Sequence, residues 1–546
     1  MNVTSLQSFA LVAPEVVLVL AALVAYLGGA FAGLRFGWLV AAAGIVAAAC
    51  VTPGQMGDAA FSAGIVVDPF STYIRWTVLG LGLLLCLVQA GDLFAAAVSR
   101  GPGLRRGGTC EEAGTFLLLL AGLSLVGVAG DLVLLFAGLE LVSIPTYILL
   151  ALKRSDARGQ EASLKYFFLS LVASAVFLYA LVCLYGIGGS TDLGAIAARL
   201  KAESTGRTAQ ALLPLAIGLG VVGAAFRLAA VPMHFYAPDV YEGTSPGNAA
   251  LLSTLPKVAG VVVLARLLAV VGAAAAPDLL WRVVVMLAAV TMTVGNVMAL
   301  WQPNLRRLLA CSSIAHAGYL LVGIAAAAAP SATPRLFTTG GLAATLFYLA
   351  TYAIATIGVF GAIAYLGHRW PEWTAASGPR PPREEITTVD DLDGLSGTNP
   401  VAAFAIAVFL LSLAGIPPLP GFWGKMGLVL AALDVDGTAA IVSGSRRAWF
   451  VGLTVLLVLN AAIAAAYYLR IIAAMYFKST KRGVQADGGL AAGVAMLACL
   501  MLVGVVTIRP WRLVAAASRA GESLVPHAAA PAAALPEASE TIAAHR

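Results

Sequence analysis

Apolar runs of about 20 residues recur from one end of the chain to the other, divided by short polar stretches. They are continuous and do not alternate, so they read as helices and not as the roughly 10-residue alternating strands of a membrane barrel. About fourteen spans are predicted, at 11–31, 36–51, 70–90, 114–130, 131–151, 163–186, 210–235, 247–273, 278–301, 306–329, 338–366, 400–434, 448–477 and 489–508. The second is short, and only a tight turn near Gly130-Asp131 divides the fourth from the fifth. The twelfth is too long for one straight helix and carries Pro417, Pro418 and Pro420.

Composition agrees with this pattern. Of 546 residues 60% are hydrophobic and 11% charged, where a soluble protein has about 25% charged. The expected class is an all-α polytopic membrane protein whose surroundings are a lipid bilayer. The first run, Leu11 to Phe31, follows no basic residue and no cleavage signature, so it reads as a retained helix. Basic residues number fifteen in the loops after odd-numbered spans, among them Arg100, Lys153, Arg307 and Lys478, against nine on the other side. The positive-inside rule then places both termini outside, in a bacterial inner membrane. Net charge is +6, modest and mostly in loops, and calls for no nucleic acid. The six Cys form no CxxC pair, which leaves no zinc or iron–sulfur signature. GLGVVG lies inside an apolar span and is packing glycine, not a dinucleotide loop. No cofactor, metal or nucleophile site is expected on this chain. The segment Gly367 to Pro400 reads as a polar loop, and the chain after about Ala515 as a mobile tail.

Two stretches look alike: GAAFRLAAVPMHFYAPD (Gly223–Asp239) and LLSLAGIPPLPGFWGK (Leu410–Lys425). Each runs an apolar helix into a Pro-containing break, in spans 7 and 12. Five spans separate them, which predicts two inverted five-helix repeats, helices 4–8 and 9–13, with helices 7 and 12 interrupted. The expected divisions are 1–113 (helices 1–3), 114–275 (first repeat), 276–478 (second repeat) and 479–546 (helix 14 and tail).

Charge is what this pattern does not explain. Glu140, Lys165, Arg227, Lys257 and Lys425 lie inside predicted spans, each at a cost of about 2.5–3.5 kcal/mol near a helix centre. Structural alternatives exist for each: a Glu140–Lys165 ion pair, snorkelling of Lys165, Arg227 on carbonyls freed near Pro232, and lysines anchored by broken helices. Arg75, Arg266, Arg282 and Arg470 sit nearer helix ends and read as interfacial anchors or contacts to a neighbour. His234 and His316 are candidate relays, since imidazole titrates near neutral pH, with a hydrogen-bonded structural role as the alternative for each. Asp239 and Glu242 fall in a loop, lining an exit or simply solvated. Burial weakens a lysine's hold on its proton and a nearby carboxylate strengthens it. A file of such groups is a proton wire loaded by charge, with Glu140 at its head.

PEVVLVL (Pro14–Leu20), GLELVSIPTY (Gly138–Tyr147), SLKYFFLSLVASA (Ser163–Ala175), VPMHFYAPDVYEGTSP (Val231–Pro246), SSIAHAGY (Ser312–Tyr319) and LAGIPPLPGFWGK (Leu413–Lys425) carry a resemblance. The chain resembles the antiporter-like membrane subunits of respiratory complex I, the proton-pumping NADH–quinone oxidoreductase. Among them it is most similar to the subunit N branch, which includes mitochondrial subunit 2. The resemblance covers about residues 11 to 508. It implies proton translocation coupled to quinone reduction elsewhere, with NADH, FMN, iron–sulfur clusters and quinone in partner subunits. It implies subunits M and K and the lateral helix of subunit L as neighbours. It makes Glu140 the helix-five glutamate and Lys165 the lysine that pairs with or modulates it. Lys257 becomes the helix-eight lysine and Lys425 the helix-twelve lysine. Arg227 stands where the family has lysine, so it is expected to act as a fixed positive bias while water, His234 or Lys257 carries the proton. Lys425 speaks against subunit M, which usually has glutamate there, and the short tail speaks against subunit L. The alternatives are a subunit of a multisubunit cation/proton antiporter or membrane-bound hydrogenase, and a non-pumping structural subunit.

Overall fold

Short polar residues stand where helices must begin. Asp156, Ser245 and Ser445 each accept a hydrogen bond from the backbone N–H three residues on, and Asn304 accepts from Arg306 and Arg307. Pro at a first helical position, as at Pro246 and Pro400, needs no N–H partner there.

A computed structural model describes residues 10–524 apart from 34–35, 53–59, 63, 99–108, 154–155, 203–205, 273–277, 330–339, 370–383, 438–440, 443, 480–483 and 485. Its first half contains α1 (Ala13–Ala32), α2 (Gly37–Val51), α3 (Pro69–Val98), α4 (Thr109–Val128), α5 (Leu132–Lys153), α6 (Ala157–Gly188), α7 (Leu193–Ala202), α8 (Arg207–Leu228), α9 (Tyr236–Gly243) and α10 (Pro246–Val271). The second half contains α11 (Asp278–Leu300), α12 (Leu305–Ala328), α13 (Gly341–Leu366), α14 (Leu395–Thr398), α15 (Pro400–Ala414), α16 (Pro420–Leu433), α17 (Arg446–Phe477), α18 (Gly489–Ile508) and α19 (Pro510–Ser523). Among the described residues twelve helices are long and apolar enough to span a membrane, and α2 and α15 are shorter apolar helices. Each predicted span has its helix. Among the described residues strand is confined to two short antiparallel hairpins, Ala60–Ser62 with Ile65–Val67 and His368–Arg369 with Glu384–Glu385.

Helices α10, α12 and α13 are buried almost throughout and form the centre. Helix α1 is peripheral, and its outward face presents Leu20, Val24 and Leu27, as a lipid-facing surface must. Glycine lets α11 and α12 meet backbone to backbone. A Cβ on Gly318 would lie 2.4 Å from the Met292 nitrogen, and one on Gly295 would lie 2.5 Å from that of Ala315.

Two spans are broken at corresponding points. Helix α8 ends at Leu228, Ala229 turns left-handed (φ 55°), and the chain runs irregularly to α9. Helix α15 ends at Ala414, Gly415 turns left-handed (φ 85°), and α16 resumes at Pro420. In both, a cis proline follows the left-handed residue by three positions, Pro232 and Pro418.

The polar connections are more ordered than their composition suggests. Asp239 and Glu242, read as loop, lie on α9, which packs against α6 and α12. The chain beyond Ala515 is not a mobile tail from that point. Helix α19 continues to Ser523, buries Ala517 and Ala520, and takes the Phe70 N–H onto the Ser523 hydroxyl at 3.1 Å. Alanine is a good helix former, and a small-residue face suffices to seat a helix on a wall of others. In Gly367–Pro400, residues 370–383 lie outside the described residues, while 384–400 hold a short 3-10 turn (Val389–Leu392) and α14. Arg35, Arg100, Arg105, Arg106, Arg154, Arg335, Arg380, Arg383, Lys481 and Arg482, used for orientation, also fall outside them.

Candidate functional site

Glu140 sits midway along α5 and does not meet Lys165. The Ser174 hydroxyl on α6 donates to its Oε1 at 2.5 Å, and the Arg227 guanidinium on α8 stands 3.7 Å from the same oxygen. Arg227 also donates to the Ser143 hydroxyl at 2.8 Å and to the Leu139 carbonyl at 3.4 Å. Its guanidinium therefore turns to α5, and not to the carbonyls freed near Pro232. Helices α5 and α6 run antiparallel from a short connection at 154–156. Lys165, two turns into α6, lies closer to that connection than Glu140 does; Ser174, nine residues further, reaches the depth of the carboxylate.

Lys165 belongs to a different cluster. It donates to Asp239 at 2.8 Å and stands 2.7 Å from Glu161, with its side chain 40% exposed. Arg307 stands 2.9 Å from Asp239 and 2.8 Å from Glu242, which also accepts from Asn304. Burial pushes the Asp239 carboxyl up, but Lys165 and Arg307 outweigh it and hold it below the usual range. This end cluster ties α6, α9 and α12 together.

The two central lysines stand at the two breaks. Lys257, which is 1% exposed, donates to the Leu228 carbonyl at 2.6 Å and to the Ser313 carbonyl at 2.8 Å. Leu228 is the last residue of α8, whose final carbonyls have no partner within the helix. Lys425, also buried, donates to the carbonyls of Leu413 and Ala414, the last two residues of α15, at 3.0 and 2.9 Å. Each ammonium thus caps the negative end of a broken helix and satisfies carbonyls that lipid could not. Lys425 further lies 4.9 Å above the ring of Tyr319.

His316 lies between them on α12, one turn from Ser313 and in edge contact with Tyr319 at 5.5 Å between ring centres. It is buried, with Nδ1 2.6 Å from the Tyr348 hydroxyl and Nε2 3.0 Å from that of Tyr468. Tyr468 also meets the Ser312 hydroxyl, and Tyr352 donates to that of Ser313 at 2.9 Å. His234 stands apart. It lies in the first break with its ring against Phe235, and among the described residues its Nδ1 is buried without a hydrogen-bond partner.

Sequence reasoning passed over a second buried ion pair. Arg75, taken for an interfacial anchor or neighbour contact, is fully buried in contact with a neighbouring helix. Its guanidinium holds both oxygens of Glu15 at 2.9 Å and the Leu11 carbonyl at 2.7 Å, and Ser124 donates to Glu15. The signal was available: Glu15 is a carboxylate inside the first apolar run and required a cation. Arg266 is likewise buried, on the Gly127 carbonyl at 2.7 Å and near Asp68 at 3.9 Å. Arg282 is exposed beside Asp278, and Arg470 holds the carbonyls of Leu300 and Gln302.

The family described as NADH:quinone oxidoreductase/Mrp antiporter, TM, matches residues 129–450, which span both breaks. The chain is 36% identical over 442 residues to NADH-quinone oxidoreductase subunit N of Myxococcus xanthus, covering 77% of this chain and 78% of that protein. To subunit N of Rubrobacter xylanophilus it is 32% identical over 529 residues, 94% of this chain and 98% of that one. It is also similar, at 28% identity and a TM-score of 0.69, to a chain of respiratory complex I from Thermus thermophilus, covering 93% of this chain and 99% of that chain. A chain of an archaeal membrane-bound sulfane sulfur reductase has the same fold, with a TM-score of 0.75 at 20% identity over 95% and 98% of the two chains. The chain therefore belongs to the NADH:quinone oxidoreductase/Mrp antiporter transmembrane family, alongside relatives named NADH-quinone oxidoreductase subunit N.

Proposed function

We propose that this chain is a proton-translocating membrane-arm subunit of an NADH–quinone oxidoreductase, driven by quinone reduction elsewhere in the complex. The observation that carries the reading is the pair of buried lysines at two matching helix breaks, with His316 between them. An ammonium has three N–H donors, and each lysine spends two on carbonyls. The third proton is free to leave. The neutral amine keeps two donors, so both contacts survive while the charge departs. The breaks hold a site that can be charged or neutral without being rebuilt.

Glu140 and Arg227 supply the electrostatic lever. Arg227 does not readily release its proton and serves as the fixed partner of the carboxylate. A change in the Glu140–Arg227 contact alters the field at Lys257, whose ammonium holds the carbonyl of Leu228, the residue next to Arg227. The proton passes from Lys257 by way of His316 to Lys425 and leaves on the outer side, where both termini also lie. Lys165 joins the end cluster with Asp239 and Arg307, a charged rim for entry. His234, in the first break, is a side relay. NADH, FMN, iron–sulfur clusters and quinone belong to partner subunits, and the membrane neighbours are subunits M and K with the lateral helix of subunit L.

The test is proton pumping per NADH oxidised by the assembled complex carrying Glu140→Gln or Lys425→Ala. Loss of pumping with assembly intact supports the reading. Full stoichiometry in both variants overturns it and leaves a structural role.

A further inference from the structure

The side chains around His316 line up along the bundle. Ser312 lies seven residues after Leu305, about 10 Å from one end of α12, and His316 about 16 Å from it. Tyr468 lies nine residues before Phe477, the end of α17 that reaches the same side, because Arg470 there holds carbonyls of the α11–α12 turn. Tyr348 lies seven residues after Gly341, where α13 begins beside the opposite end of α12; a Cβ on Gly341 would touch the Ala327 nitrogen at 2.6 Å. The order across the membrane is therefore Ser312, Tyr468, His316, Tyr348. The two ring nitrogens of one imidazole face hydroxyls on opposite sides of mid-depth. Tyr348 also packs on the backbone beside Lys425, since a Cβ on Gly424 would meet its ring at 2.5 Å.

A neutral imidazole donates from one nitrogen and accepts at the other. Between two hydroxyls it can stand in either tautomer, and the tautomer sets which way every hydroxyl in the row points. We propose that the hydroxyls of Tyr468 and Tyr348 carry the proton in a relay that crosses the second repeat through His316, with Ser312 as its far hydroxyl. It brings a proton to Lys425 from the Ser312 side and shares His316 with the route that comes from Lys257. The inference rests on the proton-translocating reading above.

The step balances without net charge on the row. A proton taken up at Ser312 lets its own hydroxyl proton pass to Tyr468, and that of Tyr468 pass to Nε2. The Nδ1 proton passes to Tyr348, whose own proton leaves toward water or the neutral amine of Lys425. One proton enters and one leaves, and the row ends with its polarity reversed. Rotation of the hydroxyls and a flip of the imidazole ring, which carries its N–H back to the Tyr348 side, reset it.

The test uses the assembled complex in sealed vesicles, with Tyr468→Phe, Tyr348→Phe, Ser312→Ala and, for comparison, Lys425→Ala. A third arm replaces Tyr468 with 3,5-difluorotyrosine, which keeps the shape and changes the acidity of the hydroxyl. Proton transfer in each Phe variant should fall roughly a hundredfold, the low end of what a positioned proton-transfer group contributes. Ser312→Ala should weaken it too, and difluorotyrosine should move the pH profile of pumping. Phe variants that pump normally while Lys425→Ala does not would overturn the relay and leave the broader reading standing. Normal pumping in all four variants would remove both. A difluorotyrosine complex with an unmoved pH profile would make Tyr468 structural only, and this arm decides the matter should a Phe variant fail to assemble.

Discussion

Lys257→Met separates charge from packing. The ammonium makes two hydrogen bonds to carbonyls, at 2.6 and 2.8 Å, in a site 1% exposed. Charge-assisted bonds of this kind contribute about 1.5–3 kcal/mol each, so their loss costs about 3–6 kcal/mol. Removing a charge from the interior of a span returns about 2.5–3.5 kcal/mol. Methionine keeps most of the volume, and its apolar stem replaces the lysine stem among the same neighbours. The two effects offset each other to within about 3.5 kcal/mol. The variant should therefore fold and assemble with a modest loss of thermal stability, yet lose the group that carries the proton. Two measurements check this: the unfolding midpoint of the purified complex, and protons moved per NADH in vesicles. Wild-type stoichiometry in an assembled Lys257→Met complex would refute the reasoning. So would a complex that never assembles, because the energetic balance would then be wrong.

Glu15→Ala strands the guanidinium of Arg75 in a site with no exposure; breaking a buried pair costs about 3–5 kcal/mol, so assembled complex should be scarce on native gels, and Glu15→Gln should be milder. Arg227→Lys keeps a cation beside Glu140 but can release its proton, so pumping at neutral pH should persist and fail on the alkaline side, where wild type continues; a pH series of vesicle pumping reads this. Gly415→Ala places a side chain in the left-handed region, at about 1–2 kcal/mol, and its Cβ would lie 2.9 Å from Lys425 Cδ; pumping should drop more than stability, measured on the same preparation. Asp239 has its pKa lowered in the folded state by Lys165 and Arg307, so its contribution is present above the ordinary carboxylate range and is lost as pH falls through the lowered value; Asp239→Asn should flatten the acid limb of a stability–pH curve.

Much of the architecture is written in local signals. A continuous apolar run of about 20 residues needs no distant partner to be recognised as a span, and proline within such a run marks a candidate break, although Pro145, Pro214 and Pro256 lie inside α5, α8 and α10 without ending them. Both breaks, at Val231-Pro232 and Pro417-Pro418, were legible this way. So was the depth of Glu140, Arg227, Lys257, His316 and Lys425, because depth follows from position along a span. The helix α19 was misread, since an Ala-rich segment becomes ordered only when a wall of other helices is there to receive it.

Partnership between side chains is a different kind of information, and only the tertiary structure decided it. Whether Glu140 meets Lys165 or Arg227 depends on how α5, α6 and α8 are rotated and how far each has slid along its neighbour. Glu15 and Arg75, 60 residues apart, and His316 and Tyr468, 152 apart, are joined in the same way. Hydrophobicity sets how many residues cross the bilayer and roughly where. It is nearly silent on helix rotation, because lipid and apolar protein are alike to an apolar side chain. The small-residue contacts that fix rotation, as at Gly295 and Gly318, belong to pairs of helices and to neither sequence alone.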